Sequence, residues 1–513
     1  MVKLIKSITK SIGHGVKNDP EVQRLKNKHP KLFRFIKKRF TANEKYGLYM
    51  TAGIIITLIF IYTFFGITRD FLGQENIIQF DLRVINLFSL IRHPQLTHQM
   101  LFVTYLAKGE IIILGLVIFL LIFYIYKKWR FMSTMLISVV GAEIFVWIIK
   151  NIIERPRPPL INALVSESTY SFPSGHTFVA ISFYGLLAYF IIQSERKKFI
   201  KIISFILAFL LIALVGLSRT YLGAHWPSDV FASFAAGLAW LSILITSLKI
   251  KKKFNPPQKF QPHLTKTKAK IFSVSLILVW LIFIGFFYTT HPIQTPKAIN
   301  PTKTVIKTEE IANKLFENLP KVSESISGLP AEPINIIFVG QKTDLDNAFS
   351  KSNWYLLDGP SLKSYTRIIT SILFKKPYPQ TPGLPVFWDT QPNEFGYGKP
   401  SSSISITSRE HIHLWDTNFI TTNNQSIWIG TAHFDEEIQK KFGIIMPYHS
   451  TNLKVDDERE SIKNELEKNG FIKSTEKVDL TGLMYGVKKG SGNGFLTDGQ
   501  AYILYLKNSN EKK

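Results

Sequence analysis

Apolar and polar residues segregate along the 513-residue chain. Seven predominantly apolar stretches fall in the first 290 residues, at 48–67, 111–126, 132–149, 177–192, 199–217, 230–248 and 271–288. Each has, or nearly has, the length of about 17 to 25 residues that a helix needs to cross a hydrocarbon core. Between the first two, residues 69–110 mix apolar and polar positions at helical spacing, as in 81–92, which predicts helices packed over the bundle. From about residue 304 the runs shorten. There the pattern predicts helices at 309–318, 362–374 and 456–468, and strands at 334–339, 385–388, 411–415, 426–432 and 501–506. The fold class read from this is an all-α polytopic membrane bundle of six spans plus a seventh, followed by a soluble α+β domain large enough to bury its own core. The divisions are a basic segment 1–47, a six-span domain 48–248, a basic linker and seventh span 249–290, and a soluble domain 304–513. The stretch 291–303, with Pro292, Pro296 and Pro301, reads as a connector.

Charge sharpens this division. Residues 1–290 hold 36 Lys+Arg against 12 Asp+Glu, whereas residues 291–513 hold 26 against 25. A basic chain suggests a nucleic-acid partner only if it presents an exposed basic face, and here the cations sit between apolar runs, so the expected partner is a membrane and not a nucleic acid. The 47 residues before the first run carry 13 Lys+Arg, unlike a cleavable signal peptide, so the first run is expected to remain as an anchor. Cytoplasmic loops are enriched in Lys and Arg. With the N-terminus inside, the inner segments hold 28 basic residues and the outer loops 8, and an odd number of spans puts everything after residue 288 outside. Residues 30–40 fit either an interfacial helix on anionic lipid or a solvated basic tail. The absence of cysteine excludes disulfides, thiolate metal sites and a cysteine nucleophile.

Three polar clusters interrupt the apolar pattern at outer helix ends: Lys150 with Arg157-Pro158, then Pro173-Ser174-Gly175-His176, then Ser218-Arg219 with His225 and Asp229. Each suits a phosphoryl group. Arg157, Arg219 and Lys150 can stabilise charge on its non-bridging oxygens, and Ser174 and Gly175 stand where a helix N-terminus offers free N–H groups. A neutral imidazole oriented by a carboxylate can attack phosphorus, which fits His225 with Asp229, while His176 can protonate the leaving oxygen and then activate water. The outer loops lack the carboxylate cluster that metal-assisted hydrolysis would use, so neither metal nor cofactor is expected.

In these motifs and their spacing, over roughly residues 80–250, the chain resembles the type 2 phosphatidic acid phosphatase superfamily, which also includes the vanadium haloperoxidases. The resemblance implies a six-helix membrane core and a phosphohistidine mechanism: His225 as nucleophile, Asp229 as its orienting partner, His176 as acid, and Lys150, Arg157, Ser174, Gly175 and Arg219 holding phosphate. The expected protein is an integral membrane phosphatase of the bacterial inner membrane, acting on a lipid phosphate or diphosphate at the periplasmic face, with the C-terminal domain on that side. The rivals are a lipid phosphotransferase on the same site and a non-catalytic scaffold whose soluble domain recruits an envelope partner. The segment from Pro333 (PINIIFVG) through His411 (HIHLWD) to Asp457 (DERE) resembles the LssY-type C-terminal domain.

Other polar residues receive weaker expectations. Arg155 and Glu154 fall outside the motifs and read as surface residues. Glu143, inside the third span, reads as lining the cavity floor or as paired with a polar neighbour. In the soluble domain His411, His413, His433 and His449, with Asp416 and Asp435, could make a metal site, but ordinary hydrogen-bonded histidines are the commoner outcome.

Overall fold

The computed structural model describes residues 19–41, 47–73, 76–159, 163–254, 263–290, 302–374, 376–401, 408–441, 444–451, 455–487 and 494–508. Most of the proline-bearing connector therefore lies outside the described residues. The helices of the first part are α1 (Pro20–Lys28), α2 (Pro30–Arg39), α3 (Leu48–Leu72), α4 (Ile77–Leu90), α5 (Pro94–Tyr105), α6 (Gly109–Ile125), α7 (Trp129–Ile153), α8 (Gly175–Ser194), α9 (Lys198–Tyr221), α10 (Pro227–Phe254) and α11 (Lys266–Thr290).

Six of these, α3 and α7 to α11, are long and apolar enough to cross a membrane among the described residues. The run expected at 111–126 forms α6, only 17 residues long, which joins α5 at a 45° bend. At the bend the Leu106 carbonyl accepts a hydrogen bond from Tyr184 Oη at 2.6 Å. Helix α8 is the most enclosed of the six, and its α-helical path is interrupted by a π-helical segment, Ile181–Gly185, about a turn beyond His176. Close contact fixes the other helices around it. A Cβ at Gly53 of α3 would fall 2.1 Å from Thr246 Oγ1 of α10, so only glycine allows that approach. The last helix is bound to the bundle by Trp280 Nε1 donating to the Ile111 carbonyl at 3.0 Å. Helix α2 confirms helical structure at 30–39 and leaves Leu32, Ile36 and Phe40 exposed.

The C-terminal part is built on a nine-stranded sheet. Its central strands are β1 (Ile336–Val339), β2 (Phe395–Pro400), β3 (Arg409–Thr421), β4 (Ser426–Lys441), β5 (Ile472–Asp479) and β6 (Gln500–Leu506), in the order β5-β6-β1-β4-β3-β2. Only β6 and β1 run parallel among these neighbours. Near-continuous apolar runs such as Ile336-Ile337-Phe338-Val339 are explained by burial on both faces. One face meets Lys342–Lys351 and Val455–Lys468 through Leu345, Phe349, Ile462 and Leu466. The other packs on Ile311–Leu315 and on Trp388. A smaller four-stranded sheet contains Val322–Glu324, Pro330–Pro333, Phe387–Trp388 and Gln391–Pro392. The helix at Leu362–Phe374 has the bounds expected from its periodicity, whereas 309–318 forms a 3-10 turn and a five-residue helix.

The two parts meet at α4. Arg83, buried, pairs with Glu324 at 2.5 Å, and Asn86 Nδ2 donates to the Thr390 carbonyl at 3.0 Å. Residues 83, 86 and 87 form one stripe of α4, at i, i+3 and i+4, facing the C-terminal domain.

Candidate active site

Antiparallel helices bring the three motifs to one end of the bundle. Lys150 ends α7, His176 opens α8, Arg219 ends α9 and Asp229 opens α10. The backbone ties them further, since Ser174 N–H bonds to the Asp229 carbonyl at 3.4 Å and His225 N–H to the Arg219 carbonyl at 3.3 Å.

His225 and Asp229 form the centre. Nδ1 of His225 lies 3.4 Å from Oδ2 of Asp229, and both side chains are buried. Nε2 of His225 faces the other way, 3.4 Å from the Arg157 guanidinium. Burial first, then the charges of Arg157, Arg219 and Lys150, hold this imidazole well below its ordinary pKa, so it is neutral and able to act as a nucleophile. His176 lies within electrostatic reach of Arg219, Glu167, His225 and Lys150.

The cations point into the same space. Lys150 Nζ donates to Thr169 Oγ1 at 2.8 Å, and Arg157 Nε to the Thr169 carbonyl at 2.6 Å. A second Arg157 nitrogen donates to the Ala224 carbonyl at 2.6 Å. Burial and the neighbouring Arg219 outweigh Glu167 and lower the Arg157 guanidinium to about 10. Arg219 donates to Thr104 Oγ1 at 2.7 Å and pairs with Glu167. Glu167, pushed up by burial but pulled down more strongly by Arg219, His176 and Arg157, falls to about 2 and stays ionised. Ser174 is buried with its hydroxyl 3.0 Å from Thr177 Oγ1. A Cβ at Gly175 would make only an ordinary 3.4 Å contact with Val146, so packing within the chain does not demand glycine there.

Two sequence expectations are corrected. Arg155 is no surface residue: its side chain is 2% exposed and it bridges two carboxylates, Asp229 at 2.6 Å and Asp81 at 2.7 Å, while also donating to Ser228 Oγ. Asp229 additionally accepts from Ser171 Oγ and from the Trp226 N–H. Two buried carboxylates require such a cation, because an isolated ion in low dielectric is costly. Glu154, next to it, is exposed as expected. Glu143 lies on the exposed flank of α7 with Trp147 and forms no hydrogen bond or ion pair among the described residues, so the paired role is not realised. Asp81, Ser171, Thr169 and Glu167 were missed because none belongs to a motif. Asp81 alone left a signal, as a single acid on the otherwise apolar face that Ile85 and Phe88 continue.

Comparisons with known proteins find relatives of both parts of the chain. The model of the PAP2 superfamily matches residues 131–253, and that of the LssY C-terminus matches residues 316–501. Phosphatidylglycerophosphatase B of Bacillus subtilis is 32% identical over 185 residues, covering 35% of this chain and 88% of the relative. Undecaprenyl-diphosphatase of Sulfolobus acidocaldarius is 28% identical over 200 residues, covering 37% and 89%. Among solved structures, the PAP2-type phosphatidylglycerolphosphate phosphatase of Bacillus subtilis is 30% identical, covers 38% of this chain and 96% of that one, and has a TM-score of 0.32. The extent of the match to the first relative, together with the two family models, places the chain in the PAP2 superfamily of phosphatases, as a multi-pass membrane member that carries an LssY C-terminal domain.

Proposed function

We propose that the chain hydrolyses a lipid phosphate or diphosphate at the outer face of a bacterial inner membrane through a phosphohistidine, without a metal at the phosphoryl site. The observation that carries this reading is the buried His225 with Asp229 behind Nδ1 and Arg157 beside Nε2. Nε2 attacks phosphorus, the P–O bond to the lipid breaks, and His176 donates the proton that the leaving oxygen takes. Asp229 stabilises the cationic ring of the adduct. His176 then removes a proton from water, which attacks phosphorus, breaks the P–N bond and releases inorganic phosphate. Lys150, Arg157 and Arg219 hold the non-bridging oxygens, and their donors now resting on Thr169 and Thr104 are those a phosphate would take. Ser174 and Gly175 add backbone N–H groups at the start of α8.

The division into a phosphatase domain over 48–248, a seventh span and a soluble domain over 304–513 goes with this reading. Charge asymmetry supports an outer site. The contact of the C-terminal domain with α4, which also carries Asp81, supports that domain's lying on the same side. The names of the relatives favour lipid phosphate substrates, and the buried His225–Asp229 pair beside Arg157 favours an enzyme over a scaffold. The test is rapid quench with a radiolabelled lipid phosphate. Wild type should yield an acid-labile, base-stable phosphohistidine, and His225→Ala should yield none and fall to background turnover. More than a few per cent of activity in a folded His225→Ala protein would sink the mechanism.

A further inference from the structure

A second cluster of chemistry-bearing side chains lies away from the phosphatase motifs. Alternation puts His411 and His413 on one face of β3, and the register with β4 sets His433 directly opposite His411 and Thr431 opposite His413. The three rings therefore share one patch of the sheet. Their centroids are 4.3 Å apart for His411 and His413, 5.0 Å for His411 and His433, and 5.6 Å for His413 and His433. One nitrogen from each falls in a group within 4.8 Å, and the residues are 1%, 3% and 4% exposed. Asp435 and His449 lie outside the described side chains.

We propose that His411, His413 and His433 bind one divalent cation of the zinc class, leaving a coordination position towards an adjoining cavity. Neutral imidazole is a borderline ligand that suits zinc and its late transition-metal neighbours, and three protein nitrogens with an open position are the donor set of a reactive, not a purely structural, ion. Tetrahedral geometry at about 2.0–2.1 Å requires nitrogens about 3.3 Å apart. Rotation about the soft χ2 of the imidazoles supplies the closure. Glu332, itself buried, sits with Oε2 3.5 Å from Nδ1 of His433, where a carboxylate fixes the tautomer of a ligating ring and strengthens it as a donor. The hydroxyl of Thr431, also buried on this face, has no hydrogen-bond partner among the described residues. The cavity, about 300 Å³, is bounded by the three histidines, by Glu324 and Glu332 of the small sheet, and by Leu87 of α4. The ion would thus lie at the junction of the two parts of the chain, with water completing its coordination.

The test uses full-length protein in detergent, purified on a tag without histidine, stripped with a chelator and titrated separately with Zn²⁺ and Co²⁺. Wild type should take up about one ion per chain by elemental analysis, and the cobalt form should absorb in the visible as four-coordinate Co²⁺ does. His411→Ala and His433→Ala should abolish stoichiometric binding. Glu332→Gln should keep the stoichiometry and weaken affinity by about 10- to 100-fold. His225→Ala should retain the ion, which separates this cluster from the phosphatase site and makes the outcome independent of the phosphohistidine mechanism. Because loss of a buried ring can unfold the domain, stripped wild type carries a second reading: Zn²⁺, but not Mg²⁺ at equal concentration, should raise its unfolding temperature. Failure of stripped wild type to bind Zn²⁺ at tens of micromolar, or full binding by a folded His411→Ala/His433→Ala protein, would overturn the proposal.

Discussion

Arg155 shows how a residue outside every motif can hold the motif residues in place. Its guanidinium spans Asp81 and Asp229 and stacks over Phe71 with 4.1 Å to the ring centroid. Removing it leaves two buried carboxylates without their cation, so Arg155→Ala should cost on the order of 3–5 kcal/mol, read as a large fall in unfolding temperature. Arg155→Lys should fold better and still lose turnover, because an ammonium cannot present a planar fork to both carboxylates. Thermal melts with steady-state kinetics on the two variants distinguish these outcomes. The pH profile follows from His225. Its folded-state value is lowered, so the neutral ring persists as pH falls and protonation removes it only below that depressed value. The acid limb of kcat/KM should therefore lie well under the 6.5 of an ordinary histidine, and a limb at or above 6.5 would contradict a buried nucleophile. Motif spacing made His176, His225 and Asp229 legible in the sequence. Arg155 was hidden because its partner Asp81 lies 74 positions away, and pairing at that distance leaves no periodic trace.

At the scale of elements, apolar length picked out helices long enough to cross a membrane, and polar residues at their ends picked out side chains that the fold brings together, since both are local properties of the chain. The bend between α5 and α6 was not legible: the interruption at Leu106–Lys108 is short, and what stabilises it, the Tyr184 hydroxyl, comes from another helix. The strand bearing His411 and His413 was legible from alternation, but the placing of His433 opposite His411 depends on the pairing of β3 with β4, which a single sequence does not encode locally. Helix α8 offers a test of how its first turn is used. Since a Cβ at Gly175 meets nothing closer than 3.4 Å, Gly175→Ala should leave stability within about 0.5 kcal/mol of wild type, as for a substitution that disturbs no packing. Crowding the phosphate position should nevertheless raise KM or lower kcat at least tenfold. Equal activity in Gly175→Ala would mean that the phosphate does not approach this backbone.

For the whole molecule, the first question is sidedness. The chain has no cysteine, so Ser194→Cys, Thr265→Cys and Ser401→Cys can each be probed in intact cells with an impermeant maleimide. Only Ser401→Cys should label before permeabilisation; labelling of Thr265→Cys, or protection of Ser401→Cys, would place the C-terminal domain inside. Chelation gives a second whole-molecule test. If Lys150, Arg157 and Arg219 hold the phosphoryl group as proposed, phosphate release should survive EDTA and be inhibited by vanadate, a mimic of the five-coordinate transition state. Loss on chelation, restored by magnesium, would contradict that account.

Helix α4 carries Asp81 on one side and Arg83, Asn86 and Leu87 on the other, so it is gripped by the bundle and by the C-terminal domain at once. This has an evolutionary consequence. The inner side answers to the His225–Asp229 pair through Arg155, whatever lies above it, whereas the outer side has a partner only where a second domain is fused. Relatives that end after the bundle should keep an acid where Asp81 stands and vary freely where Arg83 and Asn86 stand. Among fused relatives, a change at Arg83 should be matched by one at Glu324, so that the history of the fusion is written in a single helix, one face constant and the other drifting with its neighbour.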